Sequence, residues 1–137
     1  MKRSPLARRT PLTSTSQMER TGKIRPVSKR RQKARQSAEG KAGQEHMARV
    51  AALPCVICVE WGMVQQSRTT VHHCIHGRYS RRRAPDTMTL PLCEGHHTGD
   101  LDTSKLALHR EPAAWKSLYG SDTDWLSWVE QRLGIDR

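Results

Sequence analysis

At 137 residues, with 35% hydrophobic side chains and no Phe, the chain has room for one domain with a modest core, and no apolar run is long enough to span a bilayer. A single domain and no membrane-spanning helix are therefore expected. The formal charge of +11 is unevenly placed: residues 1–49 hold 14 of the 24 Lys and Arg against Glu19, Glu39 and Glu45, while the other 88 residues carry 10 basic and 10 acidic side chains. The chain reads as a basic arm joined to a neutral domain.

In chain order, residues 1–44 are rich in Arg, Lys, Ser, Thr, Pro and Gly and hold few large apolar side chains. They cannot bury enough surface to offset the entropy of ordering, so the arm is expected to be largely disordered in isolation. Two echoes, Arg3-Ser4-Pro5-Leu6 and Arg9-Thr10-Pro11-Leu12, suggest an extended start, and Ser28 to Met47 is able to turn helical against DNA or a partner. Lys29, Arg30, Arg31, Lys33 and Arg35 are candidate phosphate contacts, giving affinity that is independent of sequence and falls steeply with salt.

The domain is expected over residues 45–137. A short helix from Glu45 to Leu53 should end at Pro54, after which Cys55-Val-Ile-Cys58 starts a knuckle. Thr69 to Cys74, β-branched and His-rich, reads as a strand. Gly77 to Asp86 is a basic loop whose Arg78, Arg81, Arg82 and Arg83 are placed to hold a phosphate backbone. Met88 to Leu92 is a second strand, and His96 should open a helix. Trp115 to Leu133 has near-helical apolar spacing broken by a turn at Gly120 to Asp124, with Trp115, Trp125 and Trp128 expected in the core.

The N-terminus, Met-Lys-Arg-Ser-Pro-Leu-Ala-Arg-Arg, offers no apolar stretch for a signal peptide, so a cytosolic chain with metal-binding thiols is expected rather than disulfides. Cys55-x2-Cys58 and Cys93-x2-His96 are two half-sites with the spacing of a structural Zn2+ centre. Cys74 has no pair in that scheme and is read as a small core residue, with substitution for a ligand as the alternative. Five of the seven histidines fall between positions 72 and 97. Hydrolysis of a phosphodiester needs a base for water and a divalent ion for the developing charge. Because adjacent strand residues face opposite ways, one of His72 and His73 can hold an ion while the other addresses water. If His96 closes the zinc knuckle, His97 turns toward the catalytic ion. A zinc-ribbon DNA-binding protein without catalysis is the rival reading.

Leu53-Pro-Cys-Val-Ile-Cys58, Val71-His-His-Cys-Ile-His-Gly77 and Leu90-Pro-Leu-Cys-Glu-Gly-His-His97 together resemble the zinc-containing HNH endonucleases, and within them the phage recombination-enhancement (Ref) nucleases, which act on DNA with the host recombinase RecA. The resemblance covers residues 50 to 100. It implies an α+β fold: a small zinc-stapled ββα-metal domain with flanking helices and a disordered basic N-terminal arm. It implies His73 as general base, His72, where many relatives have Asp, and His97 as ligands of a catalytic Mg2+ or Mn2+, and cutting of DNA one strand at a time. A RecA filament is the implied partner, in a monomeric or weakly dimeric protein of phage or prophage origin in the bacterial cytoplasm. A phage nuclease for DNA processing or packaging without RecA fits the same motifs. Met88 stands where the family's middle Asn is expected. His76 and His109 are read as bystanders that at most complete the metal shell, and Asp100 as a further candidate ligand one turn beyond His97.

Overall fold

Ser28 and Ser37 sit in extended backbone, and their side chains accept hydrogen bonds from the N–H groups of Arg31 (3.2 Å) and Gly40 (3.1 Å). Each satisfies an otherwise unpaired donor at a helix start. The Ala, Lys, Arg, Gln and Glu that dominate after each serine favour the helix, and two helices follow, α1 (Lys29–Gln36) and α2 (Ala38–Ala51). The computed structural model describes residues 27–77 and 83–135, and the expectations for residues 1–26 lie outside it. Within the described part the arm is helical from Lys29 onward, and the expected boundary between residues 44 and 45 falls inside α2. The helix expected from Glu45 therefore begins seven residues earlier, at its serine cap. α1 buries none of its residues, whereas α2 buries Gly43 and Val50. The two are tied by the Gln44 amide, which donates to the carbonyl oxygens of Arg35 (3.0 Å) and Gly40 (2.9 Å). Gly40 allows this approach, since a Cβ there would run into the Ala34 carbonyl.

After Pro54, α3 (Val56–Glu60) buries Val56, Ile57 and Cys58. β1 (Thr69–His73) and β2 (Thr89–Cys93) pair antiparallel with His72 opposite Leu90 and His73 opposite Thr89. β2 is buried at every position and is displaced one residue from the expected strand: Met88 stops short of it, its carbonyl accepting from the Cys74 N–H (3.1 Å). α4 (Glu94–His97) is a single turn. It starts two residues before the expected helix and ends one residue after that helix was to begin, because Gly99 takes φ +68° and the chain leaves the helix there. The Glu94 carboxylate gathers the N–H groups of Asp100 (2.6 Å), Leu101 (3.0 Å) and Asp102 (2.7 Å) and pins the following loop.

α5 (Pro112–Tyr119) starts on proline, and after Gly120 a 3-10 helix over Asp122–Trp125 leads into α6 (Leu126–Leu133). A capping box between Ser121 and Asp124 makes the turn that the sequence places there. The core gathers Val50, Val56, Ile57, Leu90, Leu92, Leu108, Trp115 and Val129, with Trp125 and Trp128 partly buried against it. The result is a small α+β fold of one two-stranded sheet and helices. Among the described residues no helix is long and apolar enough to cross a membrane.

Candidate active site

Cys55 and Cys58 flank the start of α3, Cys93 ends β2 and His96 lies in α4, so three short elements bring four buried donors together. His96 Nδ1 lies 3.4 Å from Cys55 Sγ, 3.5 Å from Cys58 Sγ and 3.3 Å from Cys93 Sγ, and the last two sulfurs are 3.8 Å apart. Ordinary zinc bond lengths set tetrahedral edges of about 3.8 Å between sulfurs and about 3.5 Å between sulfur and nitrogen. The residues therefore fit a structural zinc ion. The Cys93 thiol is held well below its ordinary range by hydrogen bonds from Cys55 and His96, while Cys55 is pushed up by that shared bond and by burial. Lys105 Nζ adds positive charge beside the sulfurs, 3.5 Å from Cys58 and 3.8 Å from Cys93. Cys74 stands apart in the core, outside both donor clusters, its thiol pushed up to about 12 by burial and by the charge of Asp122.

The second cluster joins β1, α4 and the loop beyond it. The alternation of β1 turns His72 inward, where it is 1% exposed, and the rings of His72, His97 and His109 converge with centroids 4.9–5.1 Å apart. One candidate ligand atom from each lies within 4.8 Å of the others. His97 Nδ1 meets Thr70 Oγ1 at 2.8 Å, and His72 Nε2 meets Asp122 Oδ2 at 3.2 Å. That leaves His72 Nδ1 buried without a hydrogen-bond partner. Burial, aided by His72 and His109, pushes His97 down to about 4, which keeps its ring neutral and able to ligate a cation. His109, expected to be a bystander, completes the trio because its N–H bonds to the His97 carbonyl (3.0 Å). Asp100 joins neither cluster: α4 ends before it, and it is exposed.

Asp122 is the residue that sequence reasoning misses most clearly. Fully buried, it accepts from the N–H groups of Ile75 (2.6 Å) and His76 (3.2 Å) as well as meeting His72, and its own N–H donates to His76 Nδ1 (3.0 Å). Burial would raise its pKa, but the bonds from His72 and Ile75 hold the carboxyl below the usual range. An aspartate after Gly120-Ser121 has the sequence of an ordinary turn, so nothing local marks it.

His73 faces the other side of β1. Its Nε2 lies 2.7 Å from Arg83 Nη2 and 3.0 Å from Asp86 Oδ1. Both partners line a groove of about 210 Å³ together with Arg31, Arg35, Gln44 and Met47. α1 thus carries two of its arginines to the His73 side, while Lys29, Arg30 and Lys33 are exposed along the same helix. Arg78, Arg81 and Arg82 lie outside the described residues. Asp86, two positions before Met88, is the acidic group that touches His73; Met88 packs against the core.

A two-stranded sheet followed by a single helical turn, with neighbouring histidines delivered to two different donor clusters, defines a small α+β protein built around two groups of side chains able to hold a metal ion. The particular family follows from the sequence: residues 38–134 match the family model described as recombination enhancement, RecA-dependent nuclease, and the chain belongs to that family. It is a nuclease of recombination. No curated protein and no solved structure matches it.

Proposed function

We propose that the protein is a metal-dependent, HNH-type DNA endonuclease that cuts phosphodiester bonds in duplex DNA engaged by a RecA filament. The observation that carries this reading is the bare, buried Nδ1 of His72 beside His97 and His109, with His73 next in the strand and turned to an arginine-lined groove. Three imidazoles and no carboxylate make a donor set that suits a later transition ion better than Mg2+, and Mn2+, the first of that series, serves as the probe ion. His72, His97 and His109 would hold such an ion, which would supply positive charge to stabilise the phosphate and the leaving oxygen.

The chain's own residues do the rest. His73 Nε2 takes a proton from water, the oxygen so activated attacks phosphorus, and the bond from phosphorus to the leaving alcohol oxygen breaks. Asp86 Oδ1, 3.0 Å from the same His73 nitrogen, accepts a hydrogen bond from it once it is protonated and so stabilises the ring in that state. Arg83 holds the phosphate, and a phosphate in the groove draws it off His73. Arg31 and Arg35 hold neighbouring phosphates, and the exposed basic residues of α1 add affinity without reading bases. The family's name supports RecA as the partner.

The test is cleavage of supercoiled plasmid, and of duplex paired with a RecA-coated single strand, in Mn2+, by zinc-loaded wild type, His73→Ala and His97→Ala. Loss of a general base costs about 10²- to 10⁴-fold in rate, so His73→Ala should fall in that range and His97→Ala should lose its response to Mn2+. A requirement for the filament supports the recombination role. Equal cutting of naked plasmid selects a processing nuclease independent of RecA, and a folded protein that binds both substrates and cuts neither is a binding module.

A further inference from the structure

We propose that Asp122 is a positioning residue of the nuclease site, fixing the His72 ring so that its Nδ1 is bare and aimed at the ion. This rests on reading His72, His97 and His109 as the ion site. A buried carboxylate is costly unless its oxygens are satisfied. Asp122 is 0% exposed, and among the described residues its carboxylate meets the His72 ring and the N–H groups of Ile75 and His76 rather than a lysine or arginine.

A carboxylate can only accept, so the 3.2 Å contact from His72 Nε2 to Asp122 Oδ2 places the ring proton on Nε2. The lone pair of the neutral ring is then on Nδ1, the atom with no protein partner. An aspartate 50 residues downstream thereby sets the tautomer of a strand histidine. Its second and third bonds, to the Ile75 and His76 N–H groups, anchor it to the corner where β1 ends, so carboxylate and ring are held by one rigid frame. An asparagine has the same shape but can turn its NH2 toward Nε2. That would allow the tautomer with its proton on Nδ1, which cannot take a cation.

Two measurements test this on the zinc-loaded full chain. Ring 15N NMR of the wild type should find His72 protonated on Nε2; protonation on Nδ1 overturns the inference without any variant. Mn2+ titration followed by electron paramagnetic resonance should give one site in wild type, none in His97→Ala, and about 10- to 100-fold weaker binding in Asp122→Asn, the range for loss of a partner behind a metal-bound histidine. A thermal melt of Asp122→Asn separates this from a merely structural role, which would lower the melting temperature and leave Mn2+ affinity of the folded protein unchanged. Wild-type affinity in folded Asp122→Asn overturns the inference while the ion site stands. Absence of the site in wild type overturns both. If Asp122→Asn does not fold, the wild-type tautomer decides.

Discussion

Cys58 and Cys74 are the same residue type with opposite chemistry. Cys58 faces two other sulfurs, a histidine and Lys105; Cys74 is 1% exposed among apolar side chains, and burial holds its thiol at about 12. A thiol ionises in an unfolded chain near 9, so the folded state keeps this contribution below pH 9 and loses it as pH rises from there toward 12. The zinc-loaded native protein should leave Cys74 unmodified by Ellman's reagent at pH 8, and all four cysteines should react once zinc is chelated and the chain unfolded. Rapid reaction of one thiol in the native protein would contradict the assignment. At this scale the gathering of Cys55, Cys58, Cys93 and His96 is legible in the sequence, because each half-site is a short-range spacing, and so is the opposite facing of His72 and His73, because strand alternation sorts them. His109, Asp122 and Asp86 are not. His109 and Asp86 reach the histidines on loops, the former after the turn that the Glu94 carboxylate pins through the amides of residues 100–102, and Asp122 reaches them from the start of the 3-10 helix, 50 residues beyond His72.

α1 is eight residues with no buried side chain, too short to be stable alone in water. Its helix rests on the Ser28 cap and the bond from Gln44, and its exposed residues are dominated by positive charge. Composition points to disorder here because it counts apolar surface. What orders the segment is capping and one side-chain bond to α2, both of which escape such a count. If Arg31 and Arg35 each neutralise one phosphate, Arg31→Ala/Arg35→Ala should lower the salt slope of duplex binding by about 2, at about 0.9 per phosphate. Fluorescence anisotropy across a salt series checks this, and the loss should be the same for unrelated sequences. The cleavage rate at saturating DNA should stay near wild type, since neither arginine touches His73.

For the whole molecule, a zinc ion held by Cys55, Cys58, Cys93 and His96 would stand in for core that the sequence lacks. Its ligands clamp α3, the end of β2 and α4, and so the segments from residue 55 to 96. Structural zinc contributes about 10–16 kcal/mol apparent in small zinc-binding peptides, against a total stability of about 5–15 kcal/mol for an ordinary domain. Chelation at neutral pH should therefore unfold the domain, seen as loss of the far-ultraviolet circular dichroism of α2 to α6 and of dispersed amide signals. Cys58→Ser should purify with little zinc and melt well below wild type. Retention of native signals after complete zinc removal would show that the apolar core suffices.

α4 is one turn long, and within it His96 serves the sulfurs while His97, its immediate neighbour, faces the other histidines. Adding or removing one residue in a helix rotates everything beyond it by about 100°, so no such change between Cys93 and His97 can keep both neighbours on target. Over evolutionary time this stretch is free to exchange letters at Glu94, within what its loop contacts allow, but its length is frozen. Lineages of this nuclease should differ by insertions and deletions around the turn and never inside it.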